Sequence, residues 1–166
     1  MKIAVTDANI FIDLIWLDRI AGLFELGLEV VTPHEVMEEL LHNQLDILQP
    51  YIESKQLVVH HLSDAAYLEL DDWEVSNRLS FPDKTALYLA KKLDAMVLTG
   101  DNLFRKQAIS LMLEAHGLLW IFEQWVLQGW IVSQEARELL GKLMLFNDRL
   151  PQKECQELIE KWAEQG

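Results

Sequence analysis

The sequence predicts an α/β fold of three layers, in which a mostly parallel central sheet of about five strands is covered by helices on both faces. Short β-prone runs alternate with helical patterns of 10 to 15 residues, the order that builds parallel strands joined by crossover helices. The strand candidates read as continuous apolar runs, as strands buried on both faces do. The chain has 166 residues, 51% hydrophobic and 25% charged, with 7 Gly and 4 Pro. That balance suits one globular domain with its own core and excludes disordered, collagen-like and low-complexity chains.

Lys2 to Thr6 is a short β-prone run carrying Ile3 and Val5. It ends in Asp7-Ala8-Asn9, where the chain turns into a helical pattern marked by Ile10, Leu14, Leu17 and Ile20. Leu28 to Thr32 repeats the arrangement: Val30 and Val31 form a buried run and Pro33 stands near a helix start. Val36, Met37, Leu40 and Leu41 then mark an apolar helix face that Ile47 to Ile52 continue, and Leu57 to Leu62 makes the third strand. Ser63 and Asp64 are cap-type residues opening a helix through about Arg78, and Pro82, at or near the first helical position, opens another running to Lys92. Ala95 to Thr99 is the fourth strand. Leu103 to Ala115 is the next helix, closed by Gly117, and a fifth apolar run, Leu118 to Phe122, leads into a helix ending near Gly129.

Nothing after Ser133 has a strand pattern. Two amphipathic helices broken at Asn147 to Pro151 are expected there, so residues 133–166 read as a C-terminal helical extension of the domain formed by residues 1–132. Trp120, Trp125 and Trp130 recur every five residues, which does not keep them on one helix face. Core packing or a dimer contact is expected of them rather than base stacking by all three.

The chain carries 14 basic and 27 acidic residues, a net charge of -13 that repels polyanions unless a local patch reverses the field. Residues 1–132 hold 20 acids and 9 bases, and six of those bases, Arg78, Lys84, Lys91, Lys92, Arg105 and Lys106, fall within one stretch of 29 residues. That stretch, with Lys84, Arg105 and Lys106 nearest to acids of interest, is the candidate anion-facing surface. A single Cys155 cannot build a disulfide framework or a cysteine metal site. The longest uncharged stretch, Gln124 to Gln134, is far short of the roughly 20 residues a membrane span needs. A soluble cytoplasmic protein without a signal peptide is expected. Motifs for dinucleotide binding, P-loop hydrolysis and serine esterase chemistry do not occur in the sequence.

In parallel α/β sheets, ligands bind outside the carboxyl ends of the strands, where Asp7 and Asp101 both fall. Glu35, Glu38 and Glu39 lie in the first turns after the second strand, and Asp83 opens the helix before the fourth. Any one of these acids could serve only to cap a helix. Together they form a cluster, and two carboxylates roughly 4 Å apart repel by about 4 kcal/mol at an effective dielectric near 20. Protons or hard divalent cations resolve that conflict, and Mg²⁺ or Mn²⁺, as one ion or two, suits all-oxygen ligands. Such a site supplies what phosphodiester hydrolysis requires, an activated water and charge neutralisation at the leaving oxygen.

Four segments in order resemble the motifs of PIN domains: Val5-Thr6-Asp7-Ala8-Asn9, Thr32-Pro33-His34-Glu35-Val36-Met37-Glu38-Glu39-Leu40, Phe81-Pro82-Asp83-Lys84-Thr85-Ala86-Leu87-Tyr88-Leu89-Ala90, and Leu98-Thr99-Gly100-Asp101-Asn102-Leu103-Phe104-Arg105. The match covers roughly residues 1 to 125. PIN domains are metal-dependent ribonucleases with a nuclease-like α/β/α sandwich, many of them toxins of toxin–antitoxin pairs of the VapC type. The tail is similar to that of PIN proteins with extra C-terminal helices.

The resemblance implies that Asp7, Glu39, Asp83 and Asp101 are the catalytic and metal-ligating acids, with Glu35 and Glu38 as alternatives to Glu39. It implies a supporting part for Asn9 and Thr99. It further implies an RNA substrate cut to 3′-hydroxyl and 5′-phosphate ends, an antitoxin protein as partner where the chain is a toxin, and a homodimer. The competing reading is a catalytically quiet PIN-like module that binds protein.

Overall fold

The structure is a computed structural model that describes residues 1–75 and 77–165. In chain order its elements are β1 (Lys2–Thr6), α1 (Ala8–Trp16), α2 (Ala21–Phe24), β2 (Leu28–Pro33), α3 (His34–Met37), α4 (His42–Glu53), β3 (Leu57–His60) and α5 (Asp64–Asp71). Then follow α6 (Phe81–Leu93), β4 (Met96–Leu98), α7 (Asn102–Ser110), β5 (Ala115–His116), α8 (Leu118–Leu127), α9 (Ser133–Phe146) and α10 (Gln152–Gln165).

The five strands pair in parallel in the order β3-β2-β1-β4-β5, as the alternating pattern predicts. The chain therefore lays β1, β2 and β3 toward one edge, then crosses back to place β4 and β5 on the other side of β1. This reversal opens a crevice beyond the carboxyl ends of β1 and β4, where adjoining connections leave in opposite directions. Val5 pairs with Val97 and Thr6 with Leu98, so the residues that follow both strands emerge side by side.

Apolar burial holds the sheet in place. Ala4, Val5, Val30, Val97 and Leu98 are fully buried, and α6 packs Ala86, Leu87 and Ala90 against β1, β2 and β4. Each large side chain removed from water in this way contributes about 1.5–3 kcal/mol. The tail shares the same core. Leu139, Leu140 and Leu143 of α9, with Cys155 and Trp162 of α10, belong to one buried cluster with the sheet, and the Trp162 ring lies 6.4 Å from that of Phe122. No helix among the described residues is long and apolar enough to cross a membrane.

Several local expectations are corrected. Leu118 to Phe122 is not a strand but the first half of α8, and the fifth strand is the two-residue β5 before it. A short apolar run cannot be told from a buried helix by periodicity alone. Gly117 does not close α7; it precedes α8 with φ -119, and α7 stops at Ser110 before a left-handed turn at Met112, φ 64. The helix after Ser63 ends at Asp71, short of Arg78, and Ser76 in that interval lies outside the described residues. Pro82 is the second residue of α6, with Ser80 as its cap. The helix after β2 is interrupted between Met37 and His42, which leaves Glu39 in a turn.

Candidate metal centre

Asp7 leaves β1 in extended backbone and caps α1, its Oδ1 accepting from the Ile10 amide at 3.1 Å. Its Oδ2 accepts from the Thr99 hydroxyl, and the Gly100 amide also bonds its carboxyl group. Asp101 repeats the device one strand away. It caps α7 through Oδ1, which accepts from the Phe104 amide at 2.8 Å, while its own amide donates to Thr99 Oγ1 at 3.0 Å. One buried hydroxyl thus orients both acids. Asp83 is the third residue of α6, where its amide donates to the Ser80 hydroxyl at 3.2 Å.

Three helices therefore begin where acids stand, and the positive ends of their dipoles favour negative charge there. Burial opposes it. Burial first, and then the charge of Asp83, raise the Asp7 carboxyl from 3.8 to about 7 against the hydrogen bonds from Thr99, Ile10 and Gly100. Asp83 rises to about 6, first through burial and then through the charges of Asp101 and Glu39. Glu39 is exposed at its surface, and partial desolvation by its neighbours raises it too. Asp83 is the hub: its charge couples to those of Asp7, Asp101 and Glu39, so carboxylates from four segments share one field.

The other two candidates for the second acid face elsewhere. Glu38 is exposed and pairs with His34 at 3.1 Å. Glu35 is buried; its Oε1 accepts from the Tyr67 hydroxyl, and its Oε2 has no partner among the described residues. Of the three glutamates, Glu39 is the one coupled to Asp83. Asn9 stands beside the acids, and its Oδ1 accepts from Arg149 Nη2 at 3.4 Å, a bond to the tail. Lys84 follows Asp83 on α6, half-buried, whereas Lys106 is exposed on α7. Arg105 bonds Asn102 and reaches the turn before α8. Arg149 is the residue sequence reasoning missed: it is 140 residues from Asn9, and no local pattern marks such a contact.

The donor set is all carboxylate oxygen, the kind that hard divalent ions take. A site whose acids hold protons near neutral pH is also one in which a cation can replace those protons. The acids are neighbours and not yet gathered, since no three His, Cys, Asp or Glu side chains among the described residues are placed to hold one ion. The residues fit such an ion in chemistry.

The model of a PIN domain family matches residues 3–164 of the chain. Among solved structures, a PilT N-terminus domain protein from the archaeon Sulfolobus solfataricus P2 aligns over 72% of this chain and 89% of its own, at 13% identity and a TM-score of 0.43. No curated protein matches.

Proposed function

The chain belongs to the PIN domain family, and from that premise we propose that it is an endoribonuclease that hydrolyses RNA phosphodiester bonds with Mg²⁺ or Mn²⁺. The observation that carries this reading is the Thr99 hydroxyl at the strand reversal, which bonds both the Asp7 carboxyl group and the Asp101 amide, with the charge of Asp83 acting on the same acids. These four acids would hold one ion or two, directly or through water. A bound divalent ion supplies a water-derived nucleophile near neutral pH and charge compensation for the leaving oxygen.

The chain's own residues do the rest. Thr99, Ile10 and Gly100 hold the Asp7 carboxylate in one orientation, and the same Thr99 hydroxyl fixes the backbone of Asp101. Asp7 is 2% exposed, so its ligating oxygens work in a largely water-excluded setting where charge interactions are strong. Pre-orientation of this kind is worth 10- to 100-fold in metal affinity at comparable sites, by rough order.

The test is calorimetric titration of Mn²⁺ and Mg²⁺ into the protein and its Asp7→Asn variant, followed by cleavage of a fluorescent single-stranded RNA. Binding lost in the variant, with metal-dependent cleavage to 3′-hydroxyl and 5′-phosphate ends, supports the nuclease. A second reading, the quiet protein-binding module, is favoured by the absence of any preassembled three-ligand group among the described residues; failure to bind either ion would select it. Toxin activity, an antitoxin partner, a homodimer and a cytoplasmic location extend the first reading, and light scattering with and without a co-expressed neighbouring gene product tests the assembly.

A further inference from the structure

Beside the acids lies a cleft of about 680 Å³ that shares Asp101 with them. Its size falls within the range of roughly 300–1,000 Å³ usual for small-molecule sites. One wall comes from the α7 and β5–α8 region, with Arg105, His116 and Trp120; the other is the loop between α9 and α10, with Asn147, Arg149 and Leu150. In a chain of net charge -13, two guanidinium groups on one cleft stand out, and neither is in an ion pair among the described residues.

Both arginines are placed by specific contacts. Asn147 works in two directions: its Nδ2 donates to Asp13 Oδ2 of α1 at 2.8 Å, and its Oδ1 accepts from the Arg149 amide at 3.0 Å. Leu150 beside it is buried. The loop is thereby pinned to α1, and Arg149 is carried to Asn9, two residues beyond Asp7. On the opposite wall Arg105 lies against the backbone at Gly117, where a Cβ would stand 3.7 Å from its Nη1 and 3.2 Å from the Thr99 carbonyl oxygen. Trp120 offers a flat half-buried surface, braced from one side by His116 at 4.4 Å and 10° between planes.

We propose that this cleft is a nucleotide subsite, in which Arg105 and Arg149 bind a phosphate of the RNA strand next to the scissile one and Trp120 packs against the adjoining base. The inference rests on the nuclease reading. Guanidinium groups suit phosphate because their planar donors match its oxygens, and an aromatic face accepts any base. Asp101 and Glu154 also line the cleft; Asp101 is shared with the metal centre, where a bound cation offsets its charge, and Glu154 is exposed at the start of α10. The subsite gives the C-terminal tail a part in the reaction: it supplies the wall that carries Arg149.

The experiment is steady-state cleavage of a fluorescent single-stranded RNA by the wild type, Arg105→Ala, Arg149→Ala, Arg149→Lys and Trp120→Leu, with anisotropy of the same RNA on each in an Asp7→Asn background. Each arginine deletion is expected to raise KM and the dissociation constant about tenfold with kcat within about threefold. It should also reduce the salt slope of log affinity by about 0.7. Arg149→Lys should recover part of the loss, and Trp120→Leu should weaken binding to RNA but not to an abasic strand. Wild-type protein that cleaves no RNA in either metal overturns the nuclease reading. Cleavage by the wild type with unchanged KM and salt slope in both arginine variants overturns the subsite alone. The Arg105 side chain hydrogen-bonds only the neighbouring Asn102 among the described residues, so its variant tests the subsite even where Arg149→Ala loosens the tail.

Discussion

The Thr99 hydroxyl donates to Asp7 Oδ2, tying the residue after β4 to the residue after β1 across 92 positions of sequence. The same oxygen accepts from the Asp101 amide at 3.0 Å, so a single buried side chain, 1% exposed, sets two acids at once. Thr99→Val keeps the shape and removes both bonds. The Asp7 oxygen left unpaired costs about 1–3 kcal/mol. Divalent affinity should fall about 10- to 100-fold by calorimetry, and Thr99→Ser should restore most of it. An unchanged affinity in Thr99→Val would remove Thr99 from the site.

Asp7 makes stability depend on pH in the metal-free protein. Its folded value of about 7 lies above the ordinary 3.8, so the folded state holds the proton more tightly than the unfolded one. Below about pH 4 both states are protonated and nothing is lost. As pH rises toward 7, folding is opposed by an amount approaching 4 kcal/mol, at about 1.36 kcal/mol per unit. Asp7→Asn is therefore expected to melt higher than the wild type at pH 8 in chelator, to match it near pH 4, and to cleave no RNA. Added Mn²⁺ should raise the melting temperature of the wild type only. A variant that melts lower at pH 8 would contradict the burial argument.

Asp7 and Asp101 were legible because each ends a strand-like run before a helix pattern, and the rule for parallel sheets puts such ends together. Asp83 was legible as the acid in the first turn of a helix opened by Pro82. Glu39, which the resemblance favours over Glu35 and Glu38, stands in a break between α3 and α4 that periodicity does not show, because Leu40 and Leu41 continue the apolar pattern. The two-residue β5 was too short to leave a signal, and the apolar start of α8 took its place in the reading. Arg149 depends on a bond spanning 140 residues, and such pairs are set by tertiary packing rather than by any local preference.

Asp13 is a second pH-sensitive group, away from the acid cluster. Burial raises it to about 6, against the bond from Asn147 and the charge of Arg149. The sign is that of Asp7: no effect below about pH 4, and a loss approaching 3 kcal/mol as pH passes 6. Asp13→Asn should stabilise the protein at pH 8, whereas Asn147→Leu should destabilise it, because the carboxylate then stays buried without its donor. Thermal melts of both variants at pH 4.5 and 8 decide the matter, and equal shifts at the two values would contradict it.

Gly22 joins α2 to the tryptophan-rich end of the core. Trp125, wholly buried, donates its indole Nε1 to the Gly22 carbonyl oxygen at 2.8 Å, and its ring packs 5.0 Å from that of Trp130. A Cβ on Gly22 would stand 2.5 Å from Trp125 Cζ2 and 2.6 Å from Trp130 Cζ3, closer than any carbon pair tolerates. Neither ring can retreat freely: Trp125 also meets Phe122 edge-on at 5.1 Å, and its bond fixes the indole plane. Gly22→Ala is therefore expected to cost about 1–3 kcal/mol, despite the better helix propensity of alanine, and to lower the melting temperature by about 2–4 °C for each kcal/mol. Near-ultraviolet circular dichroism should change with it, because the tryptophan pair must repack. A Gly22→Ala protein with unchanged melting temperature and tryptophan signal would mean that α2 shifts away from α8 at no cost, and the close approach would then be incidental to stability.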